Sequence, residues 1–163
     1  MMPSAVRLLR RLCATTVAGL SIAACSGPVI VRESDPPVSS DSPELVQEAT
    51  EFGDWSLPAD GKVLLVRKET FDDPKYTLVV ETSPAGVTWM LAQSKYSAPL
   101  EKRYSIDPDL DAVIAGPPLA TSPNVLKAQD LFVSKEGDSM IRDVIVDERT
   151  AELRIVHLEF RGQ

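Results

Sequence analysis

The chain holds one histidine, His157, and two cysteines, Cys13 and Cys25, so few positions can do imidazole or thiolate chemistry. His157 stands in the apolar run Glu152 to Phe160, with Asp143 in the run before it. With one of the many serines, these residue types could form an acyl-transfer triad, in which histidine takes a proton and a carboxylate orients it. No Gly-x-Ser-x-Gly elbow accompanies them and no serine stands apart, so a histidine that sits at the surface or hydrogen-bonds within a strand is the better expectation. Asp107, Asp109 and Asp111 have the alternate spacing of a calcium loop. The sixth place is Ala112 where glycine is needed and the twelfth is Pro118 where glutamate is needed, so the three carboxylates fit the first turn of a helix better. No zinc spacing is possible with one histidine and, once Cys13 and Cys25 are accounted for, no thiol, and no metal or other cofactor is expected. Trp89, among Val87, Met90 and Leu91, is expected in the core. Trp55, beside Gly53, Asp54 and Pro58, is expected to make an exposed contact.

Cys25 is a different case. Arg7, Arg10 and Arg11 precede Leu12 to Ala24, thirteen uncharged residues that suit the apolar core of a secretory signal. A bilayer-spanning helix needs about 20 residues. Small Ala23 and Ala24 admit a peptidase to the extended chain, and Ile22-Ala23-Ala24-Cys25 resembles a bacterial lipobox. The resemblance implies a diacylglyceryl thioether on Cys25, cleavage just before it, and localisation at the extracytoplasmic face of a cell membrane. Membrane lipid is then the first partner. Each buried methylene contributes about 0.8 kcal/mol and one fatty chain attaches only marginally, so two chains give stable residence. The flanks of Arg10-Arg11, namely Leu9 and Leu12-Cys13-Ala14, match a twin-arginine signal poorly and favour the general secretory route.

Cleavage there removes 24 residues and three arginines, leaving 139 residues and taking the net charge from −7 to −10. Such a chain is a poor ligand for nucleic acid, whose affinity comes from Lys and Arg against phosphates. No nucleic-acid partner is expected. With Cys13 discarded and Cys25 lipidated, no thiol remains for a disulfide or a nucleophile, so the domain stands on its apolar core.

Three segments follow. Residues 1–24 read as the lipoprotein signal peptide. Residues 25–53 read as the lipidated cysteine, a Pro/Ser-rich linker (Ser26 to Pro43) and a short helix. Residues 54–163 read as one globular domain. Ser42 caps that helix, Pro43 opens it, and Leu45, Val46 and Ala49 give it an apolar stripe. Lys62 to Arg67 and Tyr76 to Glu81 read as strands that can pair antiparallel. At Ser83-Pro84-Ala85-Gly86 either a turn or a capped helix is allowed. The helix, with Val87, Met90, Leu91 and Ser94 on one side, is preferred over a strand. Ser122-Pro123 is expected to cap a short helix through Gln129, with Leu131 to Val133 a further strand. Met140 to Val146 and Glu152 to Phe160 form a hairpin around Asp147 to Thr150. The apolar phase slips in the last run, which predicts either a bulge or a strand covered on both faces.

The fold class read from this pattern is α+β: a single small domain with a mixed or antiparallel sheet of about four to six strands, two to four short helices and a C-terminal β-hairpin. Over residues 60–160 the order strand, strand, helix resembles small uncharacterised lipoproteins and secreted proteins of actinobacteria. That resemblance contains no sharp motif and implies no activity. The expected function is that of a membrane-tethered, non-catalytic binding module of the cell envelope, its partner an envelope protein or a small ligand. Two alternatives stand beside it: a small hydrolase using His157 with carboxylates, and an acidic inhibitor of a basic partner.

Overall fold

Two proline-led helices set the frame. In α1 (Pro43–Gly53) the Ser42 hydroxyl accepts from the Leu45 amide at 3.3 Å, and Asp54 ends the helix in the left-handed region at φ 43°. In α2 (Pro84–Gln93) Ser83 caps in the same way, accepting from Gly86 N at 3.0 Å. The computed structural model describes residues 36–70, 73–105, 114–134 and 137–162. Ile22 to Cys25 and the aspartates Asp107, Asp109 and Asp111 lie outside the described residues.

The strands are β1 (Val38–Ser40), β2 (Lys62–Thr70), β3 (Pro74–Thr82), β4 (Glu101–Arg103), β5 (Val125–Val133), β6 (Ser139–Glu148) and β7 (Arg154–Gly162). They form one sheet in the order β1-β2-β3-β7-β6-β5-β4, and every pairing is antiparallel. The α+β class and the C-terminal hairpin are as the sequence indicates, but the sheet has seven strands, more than the four to six expected. The extra pieces are three-residue margins, β1 and β4, too short to leave a period in the sequence.

Ser122 starts no helix. Residues 125–133 are a strand along the whole of β6, and the Ser122 hydroxyl is engaged by the Asp147 carboxylate at 2.5 Å instead. Cross-strand pairing has overridden a local capping signal.

Both helices lie on one face of the sheet, α1 against β2, β3 and β7, and α2 against β7. Between them and the sheet lies the main core, which includes Leu45, Ala49, Val66, Leu78, Met90, Val144, Leu158 and Phe160. α1 approaches so closely that a Cβ on Gly53 would lie 2.6 Å from Phe160 Cε2. Glu48 ties the same helix to the sheet, accepting from Lys68 at 2.5 Å and from the Tyr76 hydroxyl at 2.7 Å. These bonds, Lys68 first, hold its carboxyl below the usual range.

β7 runs without a register shift, so the phase slip marks a strand covered on both faces at its start. Ile155, Val156, His157 and Leu158 are buried in succession. The two tryptophans are reversed from expectation. Trp55 is 5% exposed, edge-on to Tyr96 with centroids 5.6 Å apart, whereas Trp89 is 45% exposed. The physical reason is helical phase. Val87 and Met90 face the sheet, and Trp89, two residues from Val87 and so about 200° round the helix, faces out.

Candidate functional site

Val156, Leu158 and Phe160 of β7 enter the main core, so Ile155, His157, Glu159 and Arg161 project from the opposite, helix-free face. That face divides into a sealed end and a charged end.

At the sealed end, Arg149 fastens the segment 117–122 over the sheet. Its Nε donates to Asp147 Oδ2 at 2.5 Å, Nη1 to Thr121 Oγ1 at 2.7 Å, and Nη2 to the Pro118 carbonyl at 2.6 Å. Gly116, at φ 84°, turns the chain against Ile155, a conformation that a side chain would strain. Leu119, Ile155 and Val79 are buried here, apart from the main core.

His157 lies in this end, opposite Val79 on β3 and Ile145 on β6. It is 7% exposed, and its Nε2 has no hydrogen-bond partner among the described residues. Burial lowers its pKa from 6.5 to about 4; the Asp147 carboxylate opposes that shift and the Arg149 guanidinium adds to it. A proton carrier at neutral pH needs the opposite setting: access, and a pKa near 7. Asp143, named with His157 from the sequence, shares its face but pairs opposite Glu159, and its oxygens are taken by Arg161 at 2.9 Å and Gln129 at 3.1 Å.

At the charged end a chain of alternating signs crosses five strands. Arg67 meets Glu69 at 2.6 Å, Lys75 bridges Glu69 at 3.6 Å and Glu159 at 3.1 Å, and Arg161 joins Glu159 to Asp143. Arg161 Nε approaches Glu159 Oε1 to 3.0 Å at an angle that makes an ion pair without a hydrogen bond. Lys127 closes the series on Asp143 at 3.6 Å.

Here the sheet margin holds a cleft of about 370 Å³, lined on one wall by Ala98, Pro99, Glu101 and Arg103 and on the other by Lys127, Gln129 and Asp143. Its wall is held from the core side. Arg142, 1% exposed, binds Asp130 through two bonds at 2.9 and 2.6 Å and donates to the Ser94 carbonyl at 2.9 Å. Its guanidinium lies 4.4 Å from the Phe132 centroid and 5.5 Å from that of Trp55, while Tyr96 donates back to the Arg142 carbonyl at 3.4 Å. The chain from Ser94 onward, which continues into Ala98 and Pro99, is thereby fixed to β5 and β6. Burial first, then the Asp130 and Asp143 carboxylates, raises the Tyr96 phenol well above its usual pKa.

Sequence reasoning did not single out Arg142, Lys127 or Gln129. The available signal was Asp130 and Arg142 standing in neighbouring apolar runs, where two charges persist only if they meet. Among the described residues no group of His, Cys, Asp and Glu is arranged to hold a metal, and no helix is long and apolar enough to cross a membrane. No protein-family model, curated protein or solved structure matches this chain.

Proposed function

We propose that this chain is a cell-envelope lipoprotein, held at the extracytoplasmic face of a membrane by acyl chains on Cys25, and that its folded domain is a non-catalytic binding module. The observation that carries the binding reading is the marginal cleft. It is concave, presents both signs of charge from Glu101, Arg103, Lys127 and Asp143, and is braced from beneath by Arg142. Rigid support under a surface concavity suits recognition, because little ordering remains to be done on binding. The chain's one imidazole lies in the sealed end of the same face, 7% exposed and with its pKa lowered to about 4.

The tether reading rests on the order arginines, apolar run, small residues, cysteine, and is tested by mass spectrometry of the native product. A chain beginning at Cys25 with a diacylglyceryl thioether is expected; an unmodified thiol, or another first residue, overturns it. The binding reading is tested by placing a photo-crosslinking residue at Ala98 in the membrane-resident chain. A discrete crosslinked species is expected, lost on Lys127→Glu with Gln129→Ala while the fold is retained. Catalytic turnover that disappears on His157→Leu in a folded variant refutes the non-catalytic reading.

A further inference from the structure

β4 covers only the first third of β5. It pairs with Val125, Leu126 and Lys127, and beyond that no described strand lies alongside Gln129 to Val133. The reason is in the sequence. Continuing the register places Pro99 opposite Gln129, and proline has no N–H with which to extend the ladder.

The phase of the hydrogen bonds can be read from the two ends of the β5–β6 pair. Glu148 N donates to the Asn124 carbonyl at 2.9 Å, and Ser134 N donates to the Asp138 carbonyl at 2.9 Å. In an antiparallel ladder bonded and unbonded pairs alternate, so the even-numbered residues of β5 bond to β6 and the odd-numbered ones turn outward. Gln129, Leu131 and Val133 therefore present their N–H and C=O groups to the open margin. Their side chains share one face of the sheet, with Leu131 59% and Val133 57% exposed. Native sheets guard such margins with lysine, proline or a bulge, and 129–133 contains none of these.

We infer that the margin Gln129–Val133 receives an extended polypeptide strand from a partner protein, apolar at the two positions facing Leu131 and Val133 and polar where it enters the cleft beside Gln129. This rests on the binding-module reading and supplies its partner class. A row of outward peptide groups is satisfied by another peptide backbone, and alternate side chains select the sequence. The stretch itself is electrically neutral outward, because Asp130 is spent on Arg142. A second copy of the chain fits less well. Self-pairing about Leu131 joins only five residues per chain, roughly 17 Å of strand. A stable interface buries about 800 Å² per partner. Each copy, cut before Cys25, also brings a net charge of −10.

The test uses the full chain in detergent with the capped peptide acetyl-Val-Thr-Val-Thr-Val-amide as probe, followed by amide hydrogen exchange. Exchange at Leu131 and Val133 is expected to slow at least tenfold as the peptide is raised, with Lys62 to Leu65 at the other margin unchanged. Leu131→Pro removes an outward N–H and no bond to β6, so it abolishes the effect while Phe132 stays protected. Should the proline variant fail to fold, Leu131→Lys with Val133→Lys serves the same purpose. No slowing at 131 and 133, equal slowing at both margins, or protection that grows with protein concentration alone overturns the inference. If capture at Ala98 persists while the peptide leaves 129–133 untouched, the module reading stands and strand addition fails.

Discussion

His157 offers a clean test of the sealed end because it is the chain's only histidine. Unfolded, it titrates near 6.5; folded, burial takes it to about 4. A depressed folded value means that the unfolded chain binds more protons between those two pH values, so stability rises with pH across the window. The contribution is complete above pH 6.5 and is lost on acidification towards pH 4. One pKa unit is about 1.4 kcal/mol, so the whole effect is about 3 kcal/mol, of which about 2 kcal/mol is lost between pH 8 and pH 5. The assay is urea unfolding of wild type and His157→Leu at several pH values. The carboxylates are common to both chains and cancel in the difference. Wild type should fall relative to the variant by about 2 kcal/mol by pH 5. Nuclear magnetic resonance of the imidazole Cε1–H gives the folded midpoint independently. Parallel stability curves, or a folded midpoint near 6.5, would refute the reading that this ring is held neutral by burial.

Four further outcomes are expected. Arg149→Ala frees that segment and removes a cation, so the His157 midpoint should climb back towards 6.5, read from the same resonance. Arg142→Met leaves Asp130 nearly buried and unpaired, and should cost about 3–5 kcal/mol in urea unfolding; adding Asp130→Leu should recover much of it. Trp55→Ala should cost about 3–5 kcal/mol and Trp89→Ala about 0.5 kcal/mol or less, with iodide quenching the fluorescence of Trp89 and sparing Trp55. Gly53→Ala, favourable for an isolated helix, should lower the melting temperature, because its methyl group meets the Phe160 ring and overpacking costs about 1–3 kcal/mol.

The sealed and charged ends of the helix-free face have different uses for the same pleat. One spends burial on fixing a histidine and a buried aspartate, Asp147, beneath a pinned segment. The other leaves its ions, the buried Asp143 apart, half-exposed, where a single pair contributes little and only the connected series across five strands adds rigidity. The cleft and the open stretch of β5 sit beside that rigid patch.

Local chemistry was enough to place both helices. Ser42-Pro43 and Ser83-Pro84 are starts that act within four residues, and they operate as read. The hairpin of β6 and β7 was legible for the same reason, since its pairing is between neighbours in the chain. Its loop is Arg149 to Leu153, later than expected, because β6 continues through Asp147 and Glu148 once Ser122 and Asn124 have engaged their carboxylates. What tertiary structure decided were the matters that depend on distant segments. β5 became a strand because β6 was there to pair with it, Trp55 was buried because Tyr96 and Arg142 close over it, and the 117–122 segment was pinned because Arg149 reaches Pro118 and Thr121. Composition around Trp89 pointed inward, yet the helical phase already assigned to Val87 and Met90 turned it out. A residue's neighbours in sequence describe its segment, whereas its direction follows from the repeat of the element and from what that element packs against.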